Sequence, residues 1–257
     1  MHYFGNSNRE DIHSVGLVFE PTFFQVYFYS DREAQKLVAT DKVNNGSEPE
    51  NIDISKLYPL YALTFNTQYT LMPNDLFDEE HAQEILAFNT ESNSPNVDWN
   101  SDPVNGAKVI FDRDIHSEQY LDRVFPGLQL KHGALALISY CRNIKDINRF
   151  SVLSKNNEKY TLAFVEDHKI RYINSIDARH TEDVIYFLLF TQKNLGIEQS
   201  TPLYLLGTTE SDSGLKAVLQ KYLASVHTQS PISTNSPISG EEAATHWIGV
   251  HAYLCAL

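Results

Sequence analysis

The acid best placed for chemistry is Glu20, at the junction of two extended runs in Phe19-Glu20-Pro21-Thr22-Phe23. A carboxylate there can hold Mg²⁺ or orient a water. The alternative, preferred on composition grounds, is a solvated turn residue. Asp112-Arg113-Asp114 follows another extended run. Two carboxylates flanking an arginine can bind a cation, but local charge pairing ahead of a helix, with Asp114 as its N-cap, explains the same triplet. His246 and His251, five apart on what reads as a strand, would point to opposite faces and so not share one metal. His132 lies between a short strand and a helix. Ser213-Gly214-Leu215-Lys216 has the spacing that sets a lysine beside a nucleophilic serine, though its partner motifs are missing and a serine near a helix start is common for capping alone. HExxH and CxxC spacings are absent, which argues against a structural metal. Cys141 and Cys255 read as small core residues, because nothing local would lower a thiol pKa.

The elements that must position these groups come in a recurring order. Val15, Leu17 and Phe19 alternate along one run, Phe23–Tyr29 is rich in aromatic and β-branched residues, and Gln35–Thr40 supplies a third strand before a loop over 44–50. A short helix is expected over 52–58, strands over 60–65 and 69–72, and a helix from an Asp78 cap to about Phe88. The polar stretch 90–106 reads as a long loop. Strand 107–112, helix 115–125, short strand 128–130 and helix 134–144 follow. Three antiparallel strands then recur at 150–154, 160–166 and 170–174, joined by tight polar turns. A helix from a Thr181 cap to Leu195 ends at Gly196, and a strand covers 203–206. An amphipathic helix spans 215–226, and a last strand lies near 247–254. The order β-β-β-α-β-α is therefore read twice, which predicts one lobe over 12–145, a second over 146–257, and a cleft between them.

The chain has 257 residues, 20 Lys+Arg against 33 Asp+Glu, and a formal charge of −13. That length buries an adequate core without disulfide or metal staples. The negative balance repels phosphate backbones, so broad nucleic-acid binding is not expected. No apolar run approaches a membrane span, and the start of the chain lacks the basic and apolar regions of a signal peptide. A cytoplasmic protein is the expectation.

The duplicated meander resembles the ribonuclease H-like lobes of the actin-like ATPase superfamily. Locally, Tyr69–Asn89, His180–Leu189 and Pro202–Leu223 resemble the bacterial, mostly Bacteroidetes, domain of unknown function family 3822. The resemblance implies an α/β fold with mixed sheets and duplicated lobes, and it implies no assigned activity. The superfamily places an acidic residue and a Gly/Thr-rich turn between its first two strands to receive phosphate. Here the turn holds Pro21, which has no N–H, and bulky Phe23, with no glycine. The matching turn of the second lobe, 154–158, also lacks glycine. Pro202–Leu223 resembles the element that carries adenosine in that superfamily, with Gly207 at the strand end, but Thr208 stands where a second glycine is expected. The resulting expectation is a non-catalytic protein without a cofactor, acting on an unknown protein partner, with Phe23 as a docking anchor. The alternative is a nucleotide-dependent enzyme or switch binding ATP in the interlobe cleft through Glu20, Gly207 and Thr208.

Overall fold

The computed structural model describes residues 1–49, 52–102, 106–208, 212–228, 232, 238 and 240–252. They form two compact units. The first comprises Met1–Ala136, Thr234–Ile238 and Ile248–Leu257, and the second Leu137–Ser233 and Ser239–Trp247.

In the first unit, β1 (His2–Tyr3), β2 (Ser14–Phe19), β3 (Phe23–Tyr29), β4 (Leu37–Asn44) and β5 (Tyr58–Thr64) belong to one sheet. Its order is β1-β4-β3-β2-β5-β9, where β9 is Leu130–His132. Strands β2, β3 and β4 form an antiparallel meander, while β5 runs parallel to β2 and β9 parallel to β5. The alternation Val15, Leu17, Phe19 does what period two requires: all three enter one core with Phe24, Val26 and Phe28. Leu121 and Phe125 close that core from α2 (Ile115–Val124) and its C-cap. A separate antiparallel sheet of β6 (Tyr69–Pro73), β8 (Ala107–Asp112) and β7 (Val97–Asp102), in the order β6-β8-β7, carries α1 (Ala82–Asn89). Ala82 and Leu86 of α1 pack on Ile110.

The boundary between the units falls in α3 (Ala134–Arg142), whose residues through Cys141 are all buried. A helix covered on every side has no face to give to water, and the hydroxyl of its buried Ser139 accepts from Arg142. In the second unit, strands β10 (Arg149–Asn156), β11 (Lys159–Glu166) and β12 (Lys169–Asp177) form an antiparallel meander. Beside it, β13 (Leu203–Leu206) runs parallel to β10, and β14 (Val226–His227) parallel to β13. The sheet of the second unit has the order β12-β11-β10-β13-β14. Helices α4 (Thr181–Leu195) and α5 (Ser213–Leu219) share a core with this sheet, built from Val184, Leu188, Leu215 and Leu219 against Leu153, Leu162, Leu203 and Leu205. Helix α6 (Gly240–Thr245) and helix α7 (Trp247–His251) complete the described chain.

Several sequence expectations are corrected. The stretch 90–106 is not wholly loop, because Val97–Asp102 pairs with β8 along its length; polar residues reach a strand here because only one is buried. Strand 107–112 belongs to the separate sheet, so β5 and β9 are the parallel strands of the main one. Residues 52–58 hold only a 3₁₀ turn, Ile54–Lys56, capped by Asp53. Thr181 is the first residue of α4 rather than its cap, and His180 in the cap position makes no side-chain capping bond. Gly196 does end α4, left-handed at φ +64° with its N–H on the carbonyls of Gln192 and Lys193. The amphipathic helix stops at Leu219, and Val226 lies on β14.

The region read as a final strand is helical over Trp247–His251. Trp247, Ile248, Val250 and His251 are all buried. With every side covered, neither period two nor period 3.6 is visible in the sequence. His246 and His251 are therefore not strand neighbours. Cys255 lies outside the described residues.

Candidate functional site

The first-unit turn is closed by its own backbone. The Glu20 N–H donates to the Phe23 carbonyl at 2.9 Å, and the Asn45 N–H to the Thr22 carbonyl at 3.1 Å. The Asn45 side-chain amide adds a donation to the Pro21 carbonyl at 2.9 Å. Glu20 is buried, 6% exposed, and not the solvated turn residue that composition favours. Its charge and the burial of Tyr27, burial foremost, push that phenol above the usual tyrosine range. Phe23 is half-buried, and the Lys42 ammonium sits 3.7 Å over its ring. Thus the ring meant as a docking anchor already has a cation on one face.

In the second unit the corresponding hairpin turn has only two residues, Asn157-Glu158, because Asn156 pairs directly with Lys159. Asn157 takes the left-handed conformation at φ +55°. At the end of β10, the Lys155 ammonium donates to Asp212 Oδ1 at 2.6 Å. Partial burial pulls the lysine pKa down, but Asp212 and Tyr160 outweigh it and the net shift is upward. The Lys155 carbonyl accepts the Trp247 indole N–H at 3.3 Å. Gly207 passes beside that same carbonyl at φ +72°, and a Cβ there would stand 2.1 Å from the oxygen. Glycine at 207 is thus required by the close approach of two backbones. Thr208 follows, 6% exposed, with its hydroxyl lacking a hydrogen-bond partner among the described residues.

The other candidates have local partners. Asp114 caps α2, accepting from the Ser117 N–H at 3.1 Å, while Asp112 accepts from the Ser92 hydroxyl. Arg113 Nε donates to Glu118 at 2.6 Å. These last two line a polar cavity of about 360 Å³ with Asp98 and Asp122. Burial raises the Glu118 pKa despite Arg113. Among the described residues, no group of three or more His, Cys, Asp or Glu is arranged to hold a metal. His132 is built into the core of the first unit. Its Nδ1 accepts from the Ala134 N–H at 3.2 Å, so its Nε2 donates to the Asn66 carbonyl at 3.0 Å. Its ring packs on Tyr69 at 4.3 Å. Lys216 donates to Thr228 Oγ1 at 3.4 Å; the side chain of Ser213 lies outside the described residues. Burial pushes Cys141 well above the ordinary thiol range, so it stays a thiol. Sequence reasoning missed the Lys155–Asp212 pair, since its members are 57 residues apart and no spacing rule connects them.

A family model described as a protein of unknown function, DUF3822, matches residues 58–226, about two-thirds of the chain. The chain belongs to this family. No curated protein matches it. Among solved structures it is similar to a Bacteroides thetaiotaomicron protein with actin-like ATPase fold and unknown function. The identity is 18% and the TM-score 0.74, with 95% of this chain and 96% of that one covered. It is also similar to a chain of the PilM–PilN type IV pilus biogenesis complex, at 16% identity and TM-score 0.56, covering 95% and 98%. The fold is therefore that of the actin-like ATPases, as the resemblance implied. Among the described residues, no helix is long and apolar enough to cross a membrane.

Proposed function

We propose that this is a cytoplasmic protein of duplicated ribonuclease H-like lobes, 12–145 and 146–257, that acts through contact with a protein partner rather than by turning over nucleotide. The observation that carries this reading is the construction of the two hairpin turns. Phosphate recognition by backbone needs a run of free N–H groups in a loop that a small residue opens. Here the first turn contains Pro21, uses the Glu20 N–H on Phe23 and holds Phe23 against Lys42; the second has two residues and no glycine. Gly207 needs no ligand to explain it, since the Lys155 backbone fills the space a side chain would take. The fold neighbour from the PilM–PilN complex supports a contact role by analogy of architecture alone. The test is a thermal melt of the full chain with millimolar ATP and Mg²⁺. No shift is expected, whereas a ligand at 100 times its Kd would add about 2.7 kcal/mol and raise the melting temperature by several degrees, which would overturn the reading.

One observation favours the alternative of an ATP-dependent enzyme or switch: beside Gly207, the buried Thr208 hydroxyl has no hydrogen-bond partner among the described residues. On that reading the protein hydrolyses ATP slowly and Glu20→Ala abolishes the turnover. Absent or unchanged hydrolysis dismisses it.

A further inference from the structure

The outer face of α4 carries an apolar pair that the second unit leaves uncovered. Tyr186 and Phe190 are 68% and 51% exposed, and their rings stack at 5.6 Å with planes 18° apart. Residues four apart on a helix lie one above the other, so the pair forms a single ridge rather than two scattered side chains. Its flanks are charged in opposite senses. Asp183 lies one turn before Tyr186, and Lys193 one turn after Phe190, both exposed. Positions 183, 186, 190 and 193 step by three, four and three, the spacing of one seam along a helix.

We propose that two copies of this chain associate through this seam, with their α4 helices antiparallel about a twofold axis level with Leu188. Under that operation position 186 faces position 190 of the other copy, and position 183 faces position 193. Each Tyr186 then packs on the partner's Phe190, and each Asp183 carboxylate meets the partner's Lys193. The acid and the base are equidistant from the axis, so the stripe is its own complement, a property a stripe serving an unrelated ligand has no reason to show. The long-range charge agrees. The second unit holds eleven basic against twelve acidic residues, whereas the first holds nine against twenty-one, a formal −12. A contact through α4 brings together the nearly neutral units of an otherwise strongly acidic protein. A fifteen-residue helix is about 22 Å long. One face of it covers well under the roughly 800 Å² per partner of a standard interface, so the dimer is weak and reversible. This association does not depend on the contact role proposed above, and the ATP melt does not bear on it.

Sedimentation equilibrium of the full chain, from about 10 µM to about 1 mM, tests it. Mass rising from monomer toward dimer is expected, with Phe190→Glu and, separately, Lys193→Glu remaining monomeric at the highest concentration. Asp183→Lys combined with Lys193→Glu should restore association to within about threefold of the parent, because the swap recreates both pairs. Circular dichroism checks that these exposed substitutions leave the fold intact. A parent chain that is monomeric throughout overturns the proposal. So does association that survives Phe190→Glu, or a charge swap that restores nothing.

Discussion

The two units share a strand order yet differ in how they close their hairpins and in how they are charged. Both sheets run meander, then two parallel strands. In the second unit the meander turns by two-residue connections, Asn157-Glu158 and Asp167-His168, the latter with both residues left-handed at φ +52° and +59°. Such turns match the twist of the strands and leave no loop. In the first unit the β2–β3 turn contains Pro21 and is held by Asn45 at the end of β4. That unit also carries the extra sheet β6-β8-β7 between two strands of its main sheet. Strand order is enforced by pairing and by one shared core, whereas turns, insertions and surface charge are constrained only locally, so they are the parts free to differ.

The most severe way to break this comparison is at Gly207 in the second unit. Gly207→Val meets both a left-handed backbone and the Lys155 carbonyl at 2.1 Å. We expect a loss of about 3 kcal/mol or more, read from denaturant unfolding of the full chain. A near-neutral result would show that the β10 and β13 ends can separate freely. His132→Ala in the first unit should cost about 2 kcal/mol, because it removes the acceptor at the start of α3 and the donor to Asn66 and leaves a void beside Tyr69. The next effect is a pH dependence. Burial pushes His251 down to about 4 from an ordinary value near 6.5. Between those values the unfolded chain binds a proton that the native chain does not, so acid favours unfolding. The stability is whole above about pH 6.5 and declines toward pH 4, at about 1 kcal/mol per pH unit. Unfolding free energies at pH 7 and 5.5 should differ accordingly, and His251→Gln should flatten the difference. An equal slope in that variant would place the titration elsewhere.

Much of the fold was legible because its signals are local. Period-two alternation in β2, the Asp114 cap and the Gly196 stop each depend on residues within a turn or two of one another, and each is where the spacing placed it; Asp78 caps a 3₁₀ turn, Glu79–His81, that leads into α1. Val97–Asp102 and Trp247–His251 were illegible for opposite reasons. The first is too polar to declare itself a strand, and becomes one by pairing with β8. The second is too uniformly buried to show any period. The site candidates divide the same way. The absence of glycine from both hairpin turns could be read directly, but the burial of Glu20 could not, since a carboxylate in a turn is exposed unless distant residues cover it.

By itself, the chain of amino acids determined the alternating strands of its meanders, the absence of glycine from its hairpin turns and the uneven distribution of charge, because these follow from neighbouring residues and composition. Only the tertiary structure decided that Lys155 meets Asp212, that Gly207 lies against the Lys155 backbone, and that Tyr186 and Phe190 stay outside. Those outcomes depend on which distant segments pack together, and packing partners are selected by the whole core rather than by any stretch of sequence.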